Sequence, residues 1–134
     1  MAMQISNWLS AQLLNAALRN TAFTPPVTVY LALYTSDPTA ADTGQEVSGG
    51  GYARQAITFN APALENGRQT VKSAADVQFP VATANWGLVT HVGLRTAATG
   101  GNLLWSAPLP SQRTIESGDN PKFLAGSTLV RFNQ

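Results

Sequence analysis

Over residues 86–96 the chain alternates with a period of two, a pattern that a 3.6-residue helix would scatter around its whole surface. Trp86, Leu88, Thr90, Val92 and Leu94 hold one set of alternate positions; Gly87, Val89, His91, Gly93 and Arg95 hold the other. Successive side chains of an extended strand point to opposite faces, so the segment reads as a strand apolar on one face and mixed on the other. Thr99, Gly100, Gly101 and Asn102 then supply residues that tolerate positive φ, before Leu103, Leu104 and Trp105 open a second apolar run. That is a hairpin signature. The whole stretch 76–105 is expected to form a scaffold at the centre of a β structure, with no evident chemistry of its own.

The rest of the chain repeats this grammar in shorter pieces. Val27, Val29, Leu31 and Leu33 alternate with Thr28, Tyr30, Ala32 and Tyr34, predicting a strand over 27–34 with two apolar faces, as in the interior of a sandwich. Ser36, Asp37 and Pro38 end it. Residues 35–51 contain Pro38, Gly44 and the Gly49-Gly50-Gly51 triplet with Val47 as the one large aliphatic, which predicts a long surface loop. Further strands are expected at 52–59, 70–72, 76–79, 103–107, 113–115, 122–124 and 128–132, punctuated by Asn66-Gly67, Gly118-Asp119-Asn120 and Gly126.

One helix precedes them. Ile5, Leu9, Leu13 and Ala17 recur every four residues beside a second stripe of Trp8, Ala11, Leu14 and Leu18, predicting an amphipathic helix over about 5–20. Thr24-Pro25-Pro26 is expected to stop it, since proline lacks a donor and forces its predecessor into an extended conformation. No basic residue precedes its apolar part and Asn7, Ser10, Gln12 and Asn15 interrupt it, so it reads as an element and not as a targeting segment. With no apolar run of membrane-spanning length, no membrane partner is expected. The expected fold is therefore mainly β: an antiparallel β-sandwich or jelly-roll-like single domain over 1–134, with one N-terminal amphipathic helix and a β region over about 27–132.

Composition excludes several function classes. At 134 residues the chain can bury a core without metal or disulfide, and it has no cysteine for either. Its formal net charge of +1 comes from scattered basic and acidic residues, with no stripe to neutralise a phosphate backbone, so nucleic acid is not an expected partner. Charged residues are only 11% of the chain, against about a quarter in typical domains. A surface finished with Ser, Thr, Asn, Gln, Gly and Ala suits a protein packed against neighbours.

Individual residues offer little chemistry. His91 is the single histidine, but no acidic residue lies closer in sequence than Asp76, so it reads as a structural or surface histidine with no catalytic role. Gly49-Gly50-Gly51 precedes a strand and lacks a following Lys-Ser/Thr, which favours a tight turn over a phosphate loop. Asp37, Asp42 and Glu46 share a loop, yet their spacing matches no calcium loop; no metal and no cofactor are expected. Trp8, Trp86, Trp105, Tyr30, Tyr34 and Tyr52 are placed as core residues, with sugar stacking as the competing reading.

The phrases LALYTSDPT (31–39), SGGGYARQ (48–55) and NWGLVTHVGL (85–94), followed by TGGNLLWSAPL (99–109) and RTIESGDNPKFLAGSTLV (113–130), resemble a family of small tailed-bacteriophage virion proteins commonly labelled phage tail fibre or minor structural proteins. The resemblance spans nearly the whole chain. It departs at Leu94-Arg95-Thr96-Ala97, where the family pattern implies an aromatic followed by an acidic residue. It implies a non-enzymatic virion component, made in the bacterial host cytoplasm. The chain shows no heptads, collagen repeat or other shaft signature, so a compact decoration (cement) protein of the capsid or a tail- or fibre-associated module is expected. Such a module would be a homo-oligomer, with a trimer as the expected state, holding coat or tail subunits through Trp8, Leu9, Asp37, Glu46 and Tyr52. The alternative is a glycan-binding module at a fibre tip, with Tyr52, Trp86 and Trp105 on host sugar.

Overall fold

The computed structural model describes residues 3–132; the ends of the expected 1–134 domain, 1–2 and 133–134, lie outside them. Among the described residues, ten strands and one helix follow in the order β1 (Gln4–Ile5), α1 (Asn7–Leu18), β2 (Val29–Tyr34), β3 (Gln55–Ile57), β4 (Ala63–Glu65), β5 (Arg68–Lys72), β6 (Val77–Gln78), β7 (Gly87–Arg95), β8 (Leu103–Ile115), β9 (Lys122–Phe123) and β10 (Leu129–Arg131). Every strand pairing is antiparallel. The main sheet runs β1-β8-β7-β2-β3, accompanied by a three-stranded sheet β10-β5-β4 and a two-stranded sheet β6-β9. The mainly-β, single-domain fold read from the alternation is therefore the fold observed, and β7 is the middle strand of the main sheet.

One face of that sheet carries the core. Leu31 and Leu33 of β2 pair with Leu94 and Val92 of β7, and these four pack with Ile57, Leu104 and Ile115 against Val77, Phe79, Trp86 and Val130 from outside the sheet. The opposite face holds a smaller cluster of Ala32, Tyr34 and Leu103, closed by the absence of a side chain at Gly93. A Cβ on Gly93 would lie 2.8 Å from Tyr34 Cε2 and 2.9 Å from Leu103 Cδ1. Gly93→Ala is expected to cost about 1–3 kcal/mol by overpacking. Urea denaturation checks this, and a variant as stable as the parent would show that the cluster yields freely.

Several boundaries differ from the sequence reading. The helix begins at Asn7 because Ser6 is extended (φ −75°, ψ 159°) and its hydroxyl accepts the Leu9 amide at 3.1 Å, an N-cap that leaves Ile5 to pair with Trp105 in the sheet. It ends at Leu18, before the prolines, with Asn20 in the left-handed region (φ 51°) just past the Arg19 cap. Of the two predicted apolar stripes only Leu9 is fully buried, while Leu14 and Leu18 are 58% and 78% exposed. Val27 is fully exposed and outside β2.

The strands expected at 103–107 and 113–115 are one strand, β8. Pro108 and Pro110 suggest a break, but β8 is paired on its second side only at Trp105 and Ser106, so the missing proline amides face no partner strand. The register shift between Val89↔Arg113 and His91↔Pro108 absorbs the extra residues as a bulge. The loop 35–51 is also less free than its composition suggests. Val47 is buried and its amide bonds Leu33 O at 3.0 Å, Thr35 N bonds Gln45 O at 2.9 Å, and Tyr34 and Glu46 form an antiparallel bridge, so the segment folds back along β2.

Candidate functional site

The densest polar arrangement joins the segment between β2 and β3 to the end of β7 and the turn between β7 and β8, some forty residues further along the chain. Arg54 meets Glu46 side-on, with Nε donating to Oε2 and Nη2 to Oε1, each at 2.8 Å. Its Nη1 donates to the carbonyls of Ala97 and Gly100, both at 2.8 Å. Glu46 Oε2 also accepts from the Tyr52 hydroxyl at 2.7 Å, and that hydroxyl in turn accepts the Leu33 amide at 3.0 Å. A second arginine works the same turn from the sheet: Arg95 donates to Asp42 Oδ1 at 2.8 Å, to the Tyr34 hydroxyl at 3.0 Å and to Gly101 O at 3.1 Å. Gly100 and Gly101 present these carbonyls because both take positive φ, 62° and 71°.

The side chains of Arg54 and Arg95 are only 8% and 9% exposed, so each guanidinium is held in a largely dry setting and needs the carbonyls and carboxylate it has. Burial works to raise the Glu46 pKa, but the hydrogen bonds from Arg54 and Tyr52 and the charge of Arg54 outweigh it and hold the carboxyl below its ordinary 4.5. Burial and the Glu46 hydrogen bond together push the Tyr52 hydroxyl well above its ordinary 10.0. For Arg95, burial opposes the charge, yet Asp42 and Tyr34 overcome it and raise the guanidinium. A network so committed to its own partners clamps the loops to the sheet.

A pH dependence follows from Glu46. Above pH 4.5 the carboxyl is ionised in both folded and unfolded chains, and its contribution to stability is fully present; as pH falls, the unfolded chain takes the proton first and the contribution is lost until the folded carboxyl also protonates. Asp76, held low by the Ala125 amide and Lys122, acts in the same direction. Thermal melts are thus expected to fall below about pH 4.5. The Glu46→Gln variant should show a shallower fall, with the Asp76 part remaining, and an unchanged slope would remove Glu46 from the account.

The residues singled out in the sequence are distributed as follows. Tyr52 and Glu46 meet in the network. Leu9 is buried in the core, where α1 packs on β8, and has no free surface with which to dock. Trp86 is 5% exposed, with Nε1 bonded to Gly50 O at 2.9 Å and its ring edge-on to Tyr52 at 5.4 Å. It has no open face for a sugar. Tyr52 stacks on Phe79 at 6.1 Å and belongs to the same aromatic cluster. Trp105 is half-buried beside Pro62, Val71, Val130 and Phe132 in an apolar groove of about 430 Å³. Trp8 is half-buried, edge-on to Phe23 at 6.2 Å. Asp37 accepts the Thr39 amide at 2.9 Å and approaches His91 Nε2 at 3.9 Å, while Thr90 Oγ1 lies 2.7 Å from His91 Nδ1. Asp37, Asp42 and Glu46 thus serve three different protein partners instead of facing a common point.

Arg54 and Arg95 are the functional-site residues that sequence reading missed. The available signal was their scarcity and setting: each arginine follows an apolar residue, Ala53 or Leu94, in a strand-like stretch of a chain so poor in charge that a partly buried guanidinium needs a partner when it folds.

The model of the family described as podophage GP4 fiber I protein gp80 matches residues 4–131. The chain belongs to that family. No curated protein matches it. As a gp80-family protein it is a bacteriophage fibre-type structural protein with a β-rich fold. Two of the phrases that carried the resemblance supply part of the clamp: LALYTSDPT contributes Tyr34 and SGGGYARQ contributes Tyr52 and Arg54. Within the segment of departure, Leu94-Arg95-Thr96-Ala97, Arg95 holds Asp42.

Proposed function

We propose that this gp80-family protein is a non-enzymatic, homo-oligomeric module of the virion that packs against neighbouring fibre or tail subunits. The observation that carries this reading is the stripe of Leu14 and Leu18 on α1, one turn apart and 58% and 78% exposed, on a protein of a fibre family. The helix is fixed to the main sheet through Ser6, whose amide bonds Leu104 O at 2.9 Å, so its outer stripe is presented on a rigid support. A contact of about 800 Å² per partner suffices for specific association, and repeated copies on a symmetric particle raise the effective affinity. A trimer is the state we assign, and a fibre or tail position is favoured over capsid decoration by the family match.

Mass photometry of the full chain tests this. The parent is expected to form a closed oligomer, and the double variant Leu14→Glu, Leu18→Glu is expected to dissociate while keeping its β-rich circular dichroism. A monomeric parent with no affinity for tail particles would sink the reading.

A further inference from the structure

The apolar groove beside Trp105 and the outer ridge of α1 both lie uncovered by their own chain. The groove, about 430 Å³, is walled by Pro62, Val71, Trp105, Val130 and Phe132, with Phe132 52% exposed. Ala11, Leu14 and Leu18 follow on α1 at i, i+3 and i+7 and are all exposed, so the helix carries one apolar ridge into solvent. We infer that the ridge of one copy seats in the groove of the next, a contact between two different faces of the same chain. This contact rests on association through Leu14 and Leu18, the reading proposed for this protein, and supplies the surface that receives them.

Shape and charge agree in this pairing. A helix laid in a hydrophobic groove is held by anchors spaced at i, i+3 or i+4, and i+7, the spacing of Ala11, Leu14 and Leu18. Arg131 also lines the groove, and its Nε is buried without a hydrogen-bond partner. A guanidinium in an apolar setting is stabilised by acceptors, and among the described residues Arg131 forms no ion pair. The end of α1, beside Leu18, offers such acceptors. The last carbonyls of a helix lack intrahelical partners and carry the negative end of its dipole. The amides of Arg19 and Thr21 both go to Asn15 O, at 3.0 and 3.1 Å, and among the described residues no amide beyond the helix reaches the carbonyls of Ala16, Ala17 or Leu18. That last turn holds no basic residue, and Arg19 at the cap turns its Nη1 back to Asn15 Oδ1 at 3.2 Å. Arg131 of a second copy supplies the cation that this helix end lacks.

A two-fold packing of the ridge on its own copy accounts for less. Two leucines on each side cover far less than the about 800 Å² per partner of a specific contact, and they would leave the groove and Arg131 open. A helix in the groove adds the walls of Trp105 and Phe132, and aromatic residues are the ones that anchor interfaces. Symmetry points the same way. A patch that meets its own copy closes as a dimer, whereas a contact between two different faces, repeated around an axis, closes as a ring. Away from its axis, a cyclic trimer is held by contacts of the second kind.

The chain has no cysteine, so engineered thiols report the contact without interference. Full-length copies carrying Leu18→Cys and copies carrying Phe132→Cys, co-expressed and then oxidised, are expected to give a disulfide-linked dimer that neither variant gives alone. In sedimentation velocity, Phe132→Glu is expected to weaken association about a hundredfold, and Arg131→Ala about tenfold through the loss of one charged hydrogen bond, with circular dichroism unchanged in both. Three results would overturn the contact and leave association through Leu14 and Leu18 standing: no mixed disulfide in a protein that oligomerises, Leu18→Cys chains linked to one another, or full-strength association of both groove variants where Leu14→Glu, Leu18→Glu dissociates. A monomeric parent would overturn both.

Discussion

Trp86→Ala is expected to lower the unfolding free energy by about 4 kcal/mol, a large share of the roughly 5–15 kcal/mol that holds a domain together. Three losses combine. The cavity forms at the middle of the core, where Tyr52 meets the indole edge-on at 5.4 Å and Phe79 at 6.5 Å, so two further rings lose a neighbour. Gly50 O loses the indole N–H that binds it at 2.9 Å. Gly50, at φ 60°, is shaped to the indole so closely that a Cβ there would lie 2.9 Å from Trp86 Cδ1 and Nε1, and the loop 35–51 loses its seat. Denaturant unfolding measures the change, with Trp86→Phe as the milder comparison that keeps a ring and loses the hydrogen bond. A Trp86→Ala protein of parental stability that had lost affinity for a sugar would return this residue to the glycan reading from which its burial removes it.

Arg54→Ala is expected to cost about 3 kcal/mol, because removing one member of a largely buried ion pair leaves the other desolvated and unpaired. Glu46, whose side chain is 23% exposed, would keep only the Tyr52 hydroxyl, and the Ala97 and Gly100 carbonyls would lose their shared donor. Adding Glu46→Ala should cost less than the sum of the two single changes, with a coupling above about 1 kcal/mol in a double-mutant cycle. Strict additivity would show that the pair sits in an effectively aqueous setting and that the turn is held by other means.

Much of this architecture was legible because strand alternation is a local property. The period of two across 86–96 and 27–34 places Val92, Leu94, Leu31 and Leu33 on one face before any partner is known, and the glycines at 100 and 101 mark the reversal between β7 and β8. Local reading failed where a non-local partner set the outcome. The prolines of β8 are tolerated because that part of the strand lacks a second neighbour, and no local signal says which strand lies at an edge. Leu14 and Leu18 satisfy the helical period as well as Leu9 does, but the sheet covers only the side that carries Leu9.

The candidate site divides in the same way. Tyr52 and Glu46 could be named from the sequence, whereas Arg54 and Arg95 became visible only when the β7–β8 turn and the loop 35–51 were brought together around them. By itself the sequence determined the class of fold, the hairpin at its centre and the bacteriophage family, since each rests on local spacing or on the order of short phrases. The tertiary structure alone decided which aromatics are core, which leucines stay in water and where each arginine finds its charge. Those outcomes depend on burial and on long-range partners, such as Arg95 with Asp42 at a separation of 53 and Arg54 with the Ala97 carbonyl at 43, even though the carboxylate of Arg54 lies only 8 residues away, and no local pattern encodes them.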